Sequence, residues 1–282
     1  MVQITDLNYY MDDALYSKVK LMINRCVHPK NKKDALLLIE GGEGEGKTNL
    51  ALQVAHAVKH HTGRSFTTNN IFYSAEKLVK FAQETTGQII VYDEPALDML
   101  GGEWWKQEQQ NLVKLLMMAR KNRHFFIFNI TKFYKFNEYI VVDRSIGLIH
   151  VYSRNEIEPG HFVYIKKKAI EFLFNSYKSS KKRDYKKYSC LRGTFPDYVP
   201  GIIDLEQYEK EKTEAILSIG SNKVNKWKQE LEKFKRKLAV SKLPINNKEE
   251  LAEALGVSKR TVYTWAEKDK NSEKTHDTTE EQ

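Results

Sequence analysis

A glycine-rich loop at residues 41–48 contains the clearest binding motif of the sequence. Gly41 is followed after four residues by Gly46, Lys47 and Thr48, which is the full phosphate-binding loop pattern. Glycines let a backbone curl so that its N–H groups point at phosphate oxygens. Lys47 would reach the β- and γ-phosphates and Thr48 would offer its hydroxyl to Mg²⁺. The loop predicts a bound ATP with Mg²⁺, contacted by Gly41, Gly42, Glu43, Gly44, Glu45, Gly46, Lys47, Thr48 and Asn49.

The segments on either side of the loop predict the elements that must position it. Residues 35–39 are an unbroken apolar run, typical of a strand buried on both faces of a parallel sheet. Residues 49–61 carry apolar side chains at helical spacing, and Gly63 can end that helix. A strand, a glycine loop and a helix in this order suit phosphate binding, because the helix N-terminus adds positive potential.

A second chemical stretch is residues 88–95, in which an apolar strand ends in Asp93 and Glu94. In this pattern Asp93 would hold the Mg²⁺ shell through water, and Glu94 would act as the general base on the attacking water. The apolar strand 124–128 ends in Asn129, which could sense the γ-phosphate or orient that water. An asparagine that merely ends a strand is the alternative.

Further strands and helices alternate along the first part of the chain. Strands are expected at 70–73 and 146–152, and helices at 14–26, 107–120 and from Ser74 as N-cap to Phe81. Pro159 and Gly160 suggest the turn of a β-hairpin that returns through 161–165 at the edge of the sheet. The expected fold class is α/β, a P-loop NTPase core with a mostly parallel sheet flanked by helices.

Charge and composition indicate an acidic partner. The formal net charge is +9, and residues 166–192 hold ten Lys or Arg against two acids, with three tyrosines interleaved. This mixture suits contacts to phosphates with occasional stacking on bases, which makes double-stranded DNA the expected partner. A solvated basic loop is the alternative.

The two cysteines, Cys26 and Cys190, are far apart and suggest neither a disulfide framework nor a zinc site. The first residues do not resemble a secretory leader, and no apolar run is long enough for a membrane span. We therefore expect a cytoplasmic protein, in the host cytoplasm if it is viral.

The C-terminal part predicts a small helical DNA-binding module. Residues 206–238 have apolar spacings of three and four, which fits a short coiled coil or a helix on its own domain. Residues 247–268 then resemble a helix-turn-helix, with Gly256 at the turn. A helix hairpin for protein contact is the alternative. The residues expected to face DNA are Ser258, Lys259, Arg260, Thr261, Tyr263 and Thr264.

Taken together, these motifs resemble the additional-strand P-loop ATPases, and among them the FtsK/HerA group of DNA-pumping motors. The resemblance rests on the glycine loop, Asp93-Glu94, the Ala119-Arg120 helix end, the strand ending in Asn129, and Arg144 before a strand. It implies a homo-oligomeric ring, such as a hexamer, in which a neighbour's arginine stabilises the transferring phosphoryl group. Arg144 and then Arg120 are the candidates, with a plain surface role as the alternative for each. Asn129 departs from the group's usual glutamine and also fits AAA+ proteins.

The predicted organisation has five parts: an ATPase core at 1–165, a basic extension at 166–204, a charged helical linker at 205–243, a helix-turn-helix at 244–268 and a disordered tail at 269–282. We expect an ATP-hydrolysing motor that moves duplex DNA during packaging or transfer of a viral or mobile-element genome, with a capsid or replication protein as a further partner. The alternatives are an AAA+-like helicase loader or transposition helper, and a regulator whose DNA affinity is switched by nucleotide.

Overall fold

The computed structural model describes residues 2–3, 10–28, 30, 33–93, 103–154 and 158–215, and four single positions beyond them, 217, 252, 258 and 260. Of residues 2–3, 103–105 and 158–159 it describes the backbone alone. The chain divides into two compact units, Met1–Ala215 and Ile216–Gln282. The first unit contains the strands and helices that bear on the predicted chemistry.

The described residues form nine strands, which lie in two sheets. The short strands β1 (Val2–Gln3) and β2 (Tyr10–Met11) pair antiparallel, and no pattern in the sequence predicted them. The other seven form the main sheet: β3 (Ala35–Gly41), β4 (Ile71–Phe72), β5 (Ile89–Asp93), β6 (Phe125–Ile130), β7 (Gly147–Arg154), β8 (Glu158–Lys166) and β9 (Leu191–Thr194). Their order is β4-β5-β6-β3-β7-β8-β9, in which the first five are parallel, β8 pairs antiparallel with β7, and β9 pairs antiparallel with β8.

Helices cover both faces of this sheet. The described helices are α1 (Asp13–Val27), α2 (Lys47–Thr62), α3 (Ala75–Glu84), α4 (Glu103–Met118), α5 (Lys167–Ser180) and α6 (Tyr185–Tyr188), and residues 205–215 are also helical. Successive residues of a strand point to opposite faces. Accordingly, Leu37 and Ile39 of β3 join the core that contains α1 and α2, whereas Leu36 and Leu38 join the core of α3, α4 and α5. The two-sided burial explains the unbroken apolar run and confirms the predicted α/β class with a mostly parallel sheet.

The structure corrects several predicted elements. The hairpin of β7 and β8 is not at the edge of the sheet, because β9 pairs with the outer side of β8. Pro159 and Gly160 lie within β8 and not in the turn. Helix α4 begins at Glu103, earlier than the predicted residue 107. Ser74 occupies the N-cap position of α3, yet its side chain makes no capping hydrogen bond.

The segment predicted as a basic extension, 166–204, contributes α5, α6 and β9 to the first unit. Its strand was missed because Leu191 to Thr194 is short and carries only one strongly apolar residue. Most of the predicted linker, the helix-turn-helix and the tail lie outside the described residues, so their boundaries stay predictions.

The parallel arrangement determines where the chemical residues meet. Strands β3, β5 and β6 are neighbours that run in the same direction, so their carboxyl ends share one edge of the sheet. The glycine loop leaves β3 at this edge, and Asp93 ends β5 there. The predicted phosphate-binding and metal-binding residues therefore lie at the same edge of the sheet.

Candidate functional site

The glycine loop connects β3 to α2 in a conformation that depends on its glycines. Gly44 and Gly46 have φ angles of 77° and 84°, in the left-handed region where side chains are disfavoured. Gly46 is the N-cap of α2, which begins at Lys47. A Cβ on Gly41 would lie 2.5 Å from the carbonyl oxygen of Val151 on the neighbouring strand. The loop therefore brings the N-terminus of α2 to the sheet edge, where its backbone N–H groups favour an anion.

Side chains hold the loop in place. Ser153 of β7 donates a hydrogen bond to Glu45 Oε2 at 2.5 Å, which ties the loop to the neighbouring strand. Lys47 Nζ donates to the carbonyl oxygens of Gly41 and Gly42, at 2.9 and 2.5 Å. The ammonium of Lys47 thus lies within the curl of the loop, where a phosphate would also be held.

Three polar side chains from three elements meet beside the loop. Asp93 at the end of β5 is buried, and its Oδ2 lies 3.5 Å from Thr48 Oγ1 at the start of α2. Asn129 stands directly opposite Asp93 on β6 and donates from Nδ2 to Asp93 Oδ1 at 3.2 Å. Asn129 Oδ1 is buried and accepts no hydrogen bond from any described residue. An unsatisfied buried acceptor at this position can receive a hydrogen bond from water.

The donor set fits a magnesium-bound phosphate better than a bare metal ion. Hydroxyl and carboxylate oxygens such as those of Thr48 and Asp93 are ligands that Mg²⁺ accepts, and Mg²⁺ usually relies on phosphates and waters for the rest. No group of three or more His, Cys, Asp or Glu residues that could hold a metal occurs in the described part of the chain. Glu94, the predicted base, lies outside the described residues.

Sequence reasoning missed two residues that contact Asp93. Tyr208, in the helix 205–215, donates from its hydroxyl to Asp93 Oδ2 at 2.6 Å, and Lys212 Nζ lies 3.2 Å from the same oxygen. Burial, and then the charge of Asp93, raise the pKa of Tyr208, so its phenol keeps the proton that it donates. Tyr208 is 115 residues from Asp93, and no local pattern marks a contact over that distance.

Residues 195–198, which precede the helix 205–215, contact the first turns of α2. Gln53 Nε2 donates to the carbonyl oxygens of Pro196 and Tyr198, at 2.8 and 2.7 Å, and Asn49 Nδ2 donates to Asp197 Oδ1 at 2.5 Å. A Cβ on Gly46 would lie 3.2 Å from the ring of Phe195. The glycine loop is therefore bordered by residues that lie far along the chain.

The two predicted arginines lie away from this group. Arg144 Nη2 pairs with Asp34 Oδ2 at 2.5 Å, and both side chains are almost fully buried. Asp34 immediately precedes β3, so the pair is at the opposite end of the strand from the loop. Arg120 is exposed in the turn Ala119–Asn122, which leads into the amino end of β6. A role for either arginine at a neighbour's site stays a prediction.

A basic surface lies on the face covered by α5 and α6. We define it by five exposed residues, Lys181, Lys182, Arg183, Lys186 and Lys187. None of them forms an ion pair with a described acidic residue. The Arg183 guanidinium lies 4.4 Å from the ring centre of Tyr134, which is itself stacked on Tyr177 at 4.1 Å. Cations beside stacked rings suit a nucleic-acid backbone and its bases.

A buried contact joins the basic surface to the loop. The Tyr185 hydroxyl donates to Glu40 Oε1 at 2.9 Å, and Glu40 precedes Gly41 in β3. The second oxygen, Oε2, lies 2.5 Å from His150 Nδ1, and the His150 ring stacks on Tyr185 at 3.7 Å. Burial and the Glu40 carboxylate raise the pKa of Tyr185, so its hydroxyl stays a donor. The basic surface is thus fixed to the strand that ends in the glycine loop.

The predicted DNA-facing residues fall mostly beyond the described part of the chain. Ser258 and Arg260 are described and exposed, and Lys259, Thr261, Tyr263 and Thr264 lie outside it. Comparison with protein families finds that residues 237–277 match the bacteriophage CI repressor helix-turn-helix domain. The C-terminal segment carries a helix-turn-helix of the phage repressor type. This match confirms the predicted motif and supports the predicted DNA partner.

A comparison with curated proteins finds no match to the chain. Among the described residues, no helix is both long enough and apolar enough to cross a membrane.

Proposed function

We propose that this protein is a magnesium-dependent ATPase that acts on duplex DNA. The observation that carries the proposal is the convergence of the glycine loop, Thr48, Asp93 and Asn129 at one edge of the sheet. Strand β6 lies between β3 and β5. It corresponds to the additional strand that the ATPases named in the sequence analysis have between their two nucleotide-binding strands. The left-handed Gly44 and Gly46 and the helix N-terminus of α2 suit a triphosphate.

Each residue has a distinct task in this proposal. Backbone N–H groups of the loop and the Lys47 ammonium bind the phosphates, and Thr48 and Asp93 hold the ion. Bound Mg²⁺ would supply charge stabilisation at the phosphates. The free Asn129 Oδ1 orients a water for in-line attack, and Glu94, next to Asp93 in sequence, accepts its proton. Positioning and charge stabilisation account for most of the catalysis expected of such a site.

DNA would be bound by two parts of the chain. The helix-turn-helix supports sequence reading, because its second helix enters the major groove in proteins of this type. The basic surface supports contacts to phosphates that do not depend on sequence. Because the hydrogen bond of Tyr185 to Glu40 fixes this surface to β3, the proposed DNA-contacting surface and the glycine loop are attached to the same strand.

The finer form of the proposal is a ring-shaped motor that moves duplex DNA in packaging or transfer of a viral or mobile-element genome. The additional-strand topology and the basic surface favour it. Arg120 is the better candidate for an arginine acting on a neighbour's nucleotide, because it is exposed. Arg144 already serves a buried ion pair within its own unit.

A second candidate is a regulator whose DNA binding is switched by nucleotide. The match to the phage repressor helix-turn-helix favours it, because that match indicates recognition of particular sites. In this case hydrolysis would be slow and would not depend on the length of the DNA.

The deciding experiment measures steady-state ATP hydrolysis, with and without long nonspecific duplex, and ATP binding in parallel. We expect Lys47→Ala to lower turnover about 100-fold or more, because it removes a charge that stabilises the transferring phosphoryl group. Glu94→Gln should abolish turnover and leave ATP binding unchanged. Lys77→Ala, on the exposed side of α3, is the control and should behave as the wild type.

The outcomes separate the candidates. Strong stimulation by long duplex, together with a ring in the presence of ATP, supports the motor. Slow hydrolysis that ignores DNA length, with tight binding to one sequence, supports the regulator. Equal ATP binding and turnover by wild type and Lys47→Ala would remove the glycine loop from the function.

A further inference from the structure

The helix 205–215 closes the sheet edge at Asp93. The Tyr208 side chain is buried, and its hydroxyl hydrogen bond to Asp93 Oδ2 is the shortest of those this carboxylate accepts. Lys212 follows one turn later and donates from Nζ to the Tyr208 hydroxyl at 3.1 Å. The Lys212 side chain is about 30% exposed. Lys212 thus reaches Asp93 from the solvent side of the helix, over the ring of Tyr208.

Lys212 is the described cation that pairs with Asp93. The other partners of the carboxylate, Thr48, Asn129 and Tyr208, are neutral. The Asp93 oxygen that Lys212 contacts, Oδ2, is also the one that faces the Thr48 hydroxyl. The ammonium of Lys212 therefore contacts the same carboxylate oxygen that a metal cation between Thr48 and Asp93 would use.

The chemistry of the proposed ATP site makes two cations compete for one carboxylate. A magnesium ion bound beside Thr48 would draw on the same Asp93 oxygen that Lys212 contacts, directly or through a bound water. An oxygen that is shared with a divalent cation attracts a nearby ammonium less strongly. Binding of magnesium nucleotide should therefore weaken the contact between Lys212 and Asp93.

We propose that Lys212 holds Asp93 in the nucleotide-free protein and is displaced when magnesium nucleotide binds, so that helix 205–215 responds to the state of the site. This inference rests on the proposed ATP binding. The preceding segment keeps its place, because Gln53 binds it through the uncharged carbonyls of Pro196 and Tyr198.

The position of this helix in the chain gives the response a consequence. Residues 205–215 end the first compact unit, and the chain continues from them into the unit that contains the helix-turn-helix segment. A shift of the helix would therefore reach the DNA-binding segment through the covalent chain. If magnesium nucleotide changes the affinity for DNA by some factor, DNA binding must change the affinity for magnesium nucleotide by that same factor.

The test uses the full-length protein and the variant Lys212→Met, which keeps the long apolar stem and removes the charge. Binding of a fluorescent ATP analogue is titrated with magnesium, and amide hydrogen exchange is followed over residues 205–215. We expect Lys212→Met to bind magnesium nucleotide about five- to twentyfold more tightly. In the wild type, magnesium nucleotide should speed exchange in this helix. Lys210→Met, exposed on the same helix, is the control and should match the wild type.

Tyr208→Phe gives a second reading, because it removes the hydroxyl that both Lys212 and Asp93 contact. It should also tighten magnesium nucleotide binding. Unchanged or weaker binding by Lys212→Met, or unchanged exchange over 205–215 on binding, overturns the inference and leaves the proposed ATP site intact. If neither wild type nor Lys212→Met binds magnesium nucleotide, the proposed function itself fails.

Discussion

Arg144 illustrates how the partner of a side chain decides its role. Sequence position before a strand suggested an arginine that acts on a neighbour's phosphate. Its guanidinium instead pairs with Asp34, whose side chain is about 3% exposed. Burial raises the pKa of Asp34, and the charge of Arg144 opposes that shift. The charge of Arg144 therefore favours the ionised form of the buried Asp34, which is a structural task.

Replacing Arg144 should destabilise the fold before it affects catalysis. Arg144→Ala leaves a buried carboxylate without its cation, which should cost about 3–5 kcal/mol of unfolding free energy. Urea denaturation measures this loss. The double variant Asp34→Asn with Arg144→Met removes both charges and should recover much of it. Wild-type stability of Arg144→Ala with a large loss of turnover would instead restore the catalytic interpretation.

At the scale of elements, α2 combines an exposed chemical end with a buried body. Lys47 and Thr48 begin the helix at the glycine loop, and nine consecutive residues after them, Leu50 to Val58, are buried. The run includes His56, which has about 8% of its surface exposed. Burial, with smaller effects of Lys59 and His60, lowers the pKa of His56 to about 4. The helix that carries the loop is therefore sensitive to acid.

Stability should fall between about pH 6.5 and pH 4 because of His56. The unfolded chain binds a proton near pH 6.5 and the folded chain near pH 4, so acid favours unfolding in this window. The contribution is present in full above pH 6.5, and its loss amounts to about 3 kcal/mol at most. Chemical denaturation over this range measures it. His56→Gln should flatten the pH dependence, whereas His61→Gln, at an exposed position of the same helix, should not. Equal profiles would refute the assignment.

At the scale of the whole molecule, the chain has a net charge of +9, and part of its positive charge is concentrated in the basic surface. The five cations of the basic surface lie on one face without acidic partners in the described part of the chain. Charges gathered in this way hold a polyanion better than the same charges scattered. The helix-turn-helix is a separate DNA-binding part, so the two contributions can be separated experimentally.

Removing charges from the basic surface should weaken DNA binding without changing its sequence preference. The triple variant Arg183→Gln, Lys186→Gln and Lys187→Gln should lower the salt slope of nonspecific duplex binding by about one for each phosphate that is no longer neutralised. Binding titrations at several salt concentrations measure the slope. The control replaces Lys77, Lys80 and Lys114, which are exposed on α3 and α4. An unchanged slope in the test variant would mean that this surface does not contact DNA.

Local sequence patterns were sufficient to predict the α/β class, the glycine loop with its strand and helix, and the helix-turn-helix, because each of these depends on residues close together in the chain. Asp93 and Asn129 were also predicted as site residues, since each directly follows an apolar run in the sequence. Only the tertiary structure decided their neighbours. Several observed contacts join residues far apart in sequence. They are the ion pair of Arg144 with Asp34, the pairing of β9 with β8, and the contacts of Tyr208 and Lys212 with Asp93. Such contacts arise from packing of whole elements, and no local periodicity records them.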